Sequence, residues 1–154
     1  MRKTQGTIRI ENRRAMHDYF IESKIECGIA LVGSEVKSLR MGLAQLGESF
    51  AEIRNGQMTL LNAHIDPYKQ AAIVYNHAPR RPRMLLAHRR EIKRLADELS
   101  DKGTTLIPLA IYFKDGRAKV EIGVARGKKE HDKRATIREN EQKRDLRRIM
   151  TRRM

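Results

Sequence analysis

Two dipeptides, Asn55-Gly56 and Asp115-Gly116, constrain this chain most, because each lies between runs in which apolar and polar residues alternate. Asn, Asp and Gly tolerate the positive φ angles of a two-residue hairpin turn, so each dipeptide predicts a tight antiparallel hairpin. The first joins residues 49–54 to 57–63. The second joins a run carrying Ile107, Leu109, Ile111 and Phe113 to one carrying Val120, Ile122 and Val124, each set on one face. Further strands are expected at residues 7–10 and within 19–32. Five or six strands with short turns and no βαβ rhythm favour a mainly β architecture, an antiparallel closed barrel without exposed edges.

Two helices flank it. In residues 88–102, Ile92, Leu95, Ala96 and Leu99 fall at i, i+3, i+4 and i+7, with Lys102 in the last turn and Gly103 placed to end the helix. A shorter helix is expected from Ser34, as N-cap, to Arg40, stopped by Gly42, with Val36 and Leu39 inward. Pro79 and Pro82 hold the stretch between hairpin and long helix extended, so Arg80, Arg81 and Arg83 should face solvent or a ligand.

Charge indicates the partner. The net charge is +14, and half of it lies in residues 126–154, which hold 12 Lys/Arg against 5 Asp/Glu. That segment has no core of its own, so the chain divides into a body, 1–125, and a basic tail, 126–154. Leu146, Ile149 and Met150 are spaced i, i+3, i+4, and Glu139 pairs favourably with Lys143, so a helix is latent over 135–150. A lone helix of that length is marginal in water. The tail is therefore expected to be disordered when free and helical against RNA. A pI near 10.4 favours nucleic acid. No apolar run approaches the roughly 20 residues of a membrane span, so no membrane partner is expected. The single Cys27 fits a reducing, cytoplasmic setting.

No catalytic constellation accompanies this charge. The sequence holds no phosphate-binding Gly-rich loop and no Gly-x-Ser-x-Gly elbow. Its five histidines lack metal-ligand spacing. Neither an enzyme activity nor a metal or cofactor is expected. This is a binding protein.

Four blocks carry a family resemblance: Asn12-Arg13-Arg14-Ala15-Met16-His17-Asp18-Tyr19, residues 28–40 with Gly33-Ser34-Glu35-Val36-Lys37-Ser38-Leu39-Arg40, Pro79-Arg80-Arg81-Pro82-Arg83, and Gly127-Lys128-Lys129-Glu130-His131-Asp132-Lys133-Arg134. In this order they resemble the small protein B family of SsrA-binding proteins, over nearly the whole chain. The resemblance implies a bacterial, OB-fold-type barrel that binds the tRNA-like domain of transfer-messenger RNA (tmRNA). It further implies a tail that occupies the ribosome's decoding centre and mRNA channel during trans-translation, the rescue of stalled ribosomes with peptide tagging. The implied partners are tmRNA, small-subunit rRNA at the decoding centre, and EF-Tu and alanyl-tRNA synthetase acting on the same RNA.

The same resemblance places Asn12, Glu26, Leu86 and Lys119 on the tmRNA-binding surface, with His88 beside Leu86 as a stacking candidate. On the ribosome it assigns Lys128, Lys129, His131, Asp132, Lys133 and Arg134 at the tail's start, with Ile149 and Met150 near its end. Without it, Glu26 reads as an exposed acid balancing cations, Lys119 as a solvated strand lysine, and 128–134 as a solvated charge run. Two departures stand out: Phe50 where the family commonly has Tyr, and Met84 where Lys is usual. The alternative is a general ribosome-associated or single-stranded-RNA-binding OB-fold protein. Such a barrel needs stacking aromatics, and the chain has seven and no Trp.

Overall fold

A computed structural model describes residues 8–101 and 103–152, excepting the side chains of Glu130 and His131; the expectations placed on Thr7 and Lys102 lie outside the described residues. The order is β1 (Arg9–Glu11), α1 (Arg13–Asp18), β2 (Tyr19–Ile29), α2 (Gly33–Arg40), β3 (Ala44–Gln45), β4 (Phe50–Arg54), β5 (Gln57–Leu61) and β6 (His64–Ile65). A 3₁₀ turn (Ile73–Tyr75), β7 (Arg83–Leu86), α3 (Arg89–Glu98), β8 (Thr104–Lys114), β9 (Arg117–Gly127) and α4 (Glu130–Arg152) follow.

Both hairpins form as expected. Asn55 and Gly56 have φ of 52° and 73°, and Asp115 and Gly116 have 53° and 75°, the double positive φ of a type I′ turn. The main sheet runs β1-β8-β4-β5-β7-β2-β9, and β9 pairs back onto β8. The mainly β architecture with flanking helices is thus what forms, but the wall is not a strict, even barrel. β8 and β9 share ten register pairs, whereas β4 meets β8 only at Ala51↔Leu106 and β2 meets β7 only at Gly28↔Leu86 and Ile29↔Leu85. The strand β9 runs to Gly127, two residues past the expected body–tail boundary.

A bulge corrects the expected face of β8. Register slips between Pro108 and Ala110, leaving Leu109 as the extra residue. Beyond it Ile111 faces the main core, as expected; before it the parity reverses, so Leu106 is inward instead of Ile107. Ile107 and Leu109 pack on the other side with Ala15 and Ala125, a second small core under α1. The helix α1 was not legible in the sequence. Asn12 caps it and also serves the bulge: its N–H donates to Leu109 O at 2.8 Å, its Nδ2 to Pro108 O at 2.9 Å and Leu46 O at 3.2 Å, and its Oδ1 accepts from Ala15 N–H at 3.2 Å.

Four more corrections concern α2, α3, Arg83 and the tail. The residue preceding α2 is Val32, not Ser34, and the inward face is Ser34, Glu35, Ser38 and Leu39 instead of Val36 and Leu39. The Ser34 hydroxyl meets His77 Nδ1 at 2.8 Å; because His77 Nε2 faces the Ile65 carbonyl at 2.9 Å, Nε2 is the donor and Nδ1 accepts. In α3, Ile92 and Leu95 are buried but Ala96 is exposed, and the helix ends at Glu98, before Gly103. Arg83 does not face solvent. It is fully buried and donates to Glu35, to Ala63 O at 2.7 Å and to Pro79 O at 3.0 Å.

The tail is the fourth correction. Instead of a disordered segment, α4 is one 23-residue helix. Its start is tied to the body: Lys128 N–H donates to Asp18 O at 2.8 Å, Lys128 Nζ to Met16 O at 3.1 Å, and Lys133 lies 3.7 Å from Asp18. Such anchors supply the nucleus that an isolated helix lacks.

Candidate nucleic-acid interface

Alternation along β2, β7 and β9 builds the site. Cys27, Leu85 and Val120 point into the core, so their neighbours Glu26, Gly28, Leu86 and Lys119 share the outer face. Register aligns them: Gly28 lies opposite Lys119 on one side and opposite Leu86 on the other. Together with Ala87, His88 and Glu91 they line one groove. Four of the five residues expected on the tmRNA surface therefore meet, although they come from three strands and a helix start.

Each contributes a different chemistry. Leu86 is 54% exposed, an apolar surface outside the core. A Cβ on Gly28 would lie 3.3 Å from Leu86 Cβ, so the glycine permits the close approach of β7. His88 precedes α3 without a side-chain capping bond, leaving its exposed ring available. Glu26 accepts a hydrogen bond from Tyr112 Oη and one from Lys114 Nζ at 3.4 Å. The Tyr112 bond, reinforced by Lys114 and Lys119, holds its carboxyl below the usual range. It is an anion, open to solvent, with cations on both sides.

Asn12 does not join this groove. It is 4% exposed, and its side-chain amide is consumed by α1 and the β8 bulge. The groove's other acid, Glu91, and the neighbouring Tyr112 were not singled out from the sequence. Its place one residue after the inward Ile111 puts Tyr112 on the outer face, but nothing in the sequence marks the carboxylate it reaches.

The tail meets the body at Asp18, through the Lys128 N–H and Lys133. The Asp18 carboxylate receives His17 at 2.7 Å, Arg14 at 3.6 Å and Lys133 at 3.7 Å. The His17 hydrogen bond does most to hold its pKa below the usual carboxylate value. Lys128 Nζ also donates to Thr136 at 2.9 Å and lies 5.0 Å from the Phe20 ring centroid. Lys129 and Arg134 are exposed, and the Lys129 N–H donates to the Asp132 carboxylate at 3.3 Å. His131 lies in the first turn of α4, and its side chain is outside the described residues. Ile149 and Met150 are exposed, as is Leu146.

Cys27 is inert: burial first, then Glu91 and Glu26, push its thiol up to about 12. Among the described residues no three His, Cys, Asp or Glu side chains are grouped to hold a metal ion, and no helix is long and apolar enough to cross a membrane.

Comparison with known proteins follows the same lines. The model of the SmpB protein family matches residues 9–152. The SsrA-binding protein of Thermobifida fusca is 53% identical over 152 residues, covering 98% of this chain and 94% of that protein. That of Chloroflexus aggregans is 53% identical over 144 residues, covering 94% and 91%. Among solved structures, a chain of "tmRNA-SmpB: a journey to the center of the bacterial ribosome" aligns with a TM-score of 0.68 at 50% identity, covering 79% of this chain and 85% of that one.

Proposed function

The chain belongs to the SmpB protein family, and on that premise we propose that it binds the tRNA-like domain of tmRNA and delivers it to stalled ribosomes for trans-translation. The body carries the RNA, and the tail helix enters the decoding centre and mRNA channel in place of a codon–anticodon duplex. The protein works in the cytoplasm by binding alone. Charging and delivery chemistry belong to alanyl-tRNA synthetase and EF-Tu, and peptide transfer to the ribosome.

The observation that carries this reading is the convergence of Glu26, Leu86, His88 and Lys119 in one groove of a protein with net charge +14. RNA is read through unstacked bases, ribose hydroxyls and phosphates, and the groove offers a partner for each. The Glu26 carboxylate accepts a base N–H or a 2′-OH. Lys119 meets a phosphate. Leu86 and His88 offer an apolar and a π surface for a base. Asn12 acts on the RNA only indirectly, by holding the bulge and α1. In the tail, Lys128, Lys129, Lys133 and Arg134 contact rRNA phosphates, His131 stacks on an rRNA base and Asp132 caps the helix start. Ile149 and Met150 pack in the channel.

Competition tests the reading. A labelled transcript of the tRNA-like domain, bound by the full chain at physiological salt, should resist displacement by unrelated single-stranded RNA. Equal displacement would favour a general RNA-binding barrel instead. A chain cut after Lys129, which keeps all of β9 and the Lys128–Asp18 contact, should bind the transcript and fail to support peptide tagging. Loss of both functions would contradict their separation.

A further inference from the structure

Tyr112 lies beside the groove, where the proposed function gives it no part. It stands opposite Arg9 of β1 on one side and opposite Lys119 of β9 on the other. Glu26 stands opposite Glu121, two residues further along β9. To reach Glu26 on β2, the phenol crosses β9 diagonally from the level of Lys119 to that of Glu121. The side chain is itself held: the Arg9 guanidinium lies 5.1 Å from the ring centroid. Arg9 in turn is tied to Glu11 at 3.3 Å and Glu121 at 3.5 Å.

A glutamate on an outer sheet face has several rotamers, and fixing one costs entropy that an RNA ligand would otherwise have to overcome. We propose that Tyr112 is a positioning residue for RNA binding, its phenol donating to Glu26 Oε2 and fixing the carboxylate for an incoming nucleotide. A carboxylate has about four acceptor sites. Tyr112 and Lys114 occupy one on each oxygen, which leaves one on each for a pair of N–H donors on an unpaired base edge, or for a ribose 2′-OH. The hydroxyl also keeps the group ionised, in line with the lowered Glu26 pKa and a Tyr112 phenol pushed up to about 12 by desolvation and by Glu26.

The inference rests on reading the groove as an RNA site, and the test separates the two. Affinity for the labelled tRNA-like transcript is measured with full-length wild type, Tyr112→Phe, Glu26→Gln and the double variant. Tyr112→Phe retains the ring and its stack against Arg9, so its melting temperature should match wild type. Its affinity should fall roughly 5- to 10-fold, and in the Glu26→Gln background the same change should have no further effect. As pH is lowered from 7.5, Tyr112→Phe should lose affinity at a higher pH than wild type, because Glu26 without the phenolic donor takes up its proton sooner. Wild-type affinity in Tyr112→Phe, or penalties that add in the double variant, would overturn the positioning role while leaving the RNA site intact. If wild type shows no preference for the transcript over unrelated RNA, the groove's function and the positioning role fall together.

Discussion

Glu35 and Glu26 are each held by hydrogen bonds from neighbouring side chains, yet one is sealed and the other open. The Glu35 side chain has no exposed surface, that of Arg83 none, and Arg81 closes the other oxygen. Burial alone would raise the Glu35 pKa, but bonds from Arg81, the Val32 N–H and Arg83 hold it down. The Glu26 side chain keeps 37% of its surface. Ionisation therefore does not distinguish a structural acid from a ligand-binding one. What distinguishes them is whether any acceptor site remains reachable. Glu35 locks α2 to the strand β7, whereas Glu26 faces the groove with acceptor sites to spare.

The largest effect that would test this contrast is Glu35→Ala. It leaves the Arg83 charge buried without a counterion and should cost about 3–5 kcal/mol in denaturant unfolding; a loss under 1 kcal/mol would break the contrast. Asn12→Ala comes next. Despite its place on the expected RNA surface, it belongs to the sealed class, so it should lose about 1–3 kcal/mol of stability with unchanged affinity for the tRNA-like transcript. Lys119→Ala should do the reverse, weakening that affinity roughly 10-fold and reducing the salt slope by about one charge, with no change in melting. The smallest effect is in acid. Because the folded Glu35 carboxyl titrates below an ordinary glutamate, its stabilisation is complete above the unfolded value and is lost as pH falls through the folded one. Glu35→Gln should therefore show a shallower acid-unfolding limb, and Glu26→Gln, whose lowered carboxyl is exposed and solvent-screened, should flatten it less.

What the sequence revealed of the fold was mostly local. The Asn55-Gly56 and Asp115-Gly116 turns were legible because their geometry depends on two residues and the alternation beside them. The inward set Val120, Ile122 and Val124 was legible for the same reason. The Leu109 bulge was not, because Asn12, which binds its carbonyls, lies 96 residues from Pro108. Arg83 read as one of a basic run because its partner Glu35 is 48 residues away. The tail's helical spacing was visible, but the Asp18 anchor that nucleates the helix was not. In the groove, Glu26, Leu86, His88 and Lys119 were found through family resemblance. Their meeting depends on pairing among β7, β2 and β9, which no local pattern encodes. Tyr112 was missed because a strand tyrosine next to a core isoleucine carries no sign of the carboxylate it will reach across a neighbouring strand.

The contrast between a sealed and an open carboxylate is tested most directly by the affinity of full-length Glu26→Gln for the tRNA-like transcript at physiological salt, beside its melting temperature. Affinity should weaken roughly 10-fold with an unchanged melting temperature. Wild-type affinity, or a weakening that appears only together with lost stability, would contradict it.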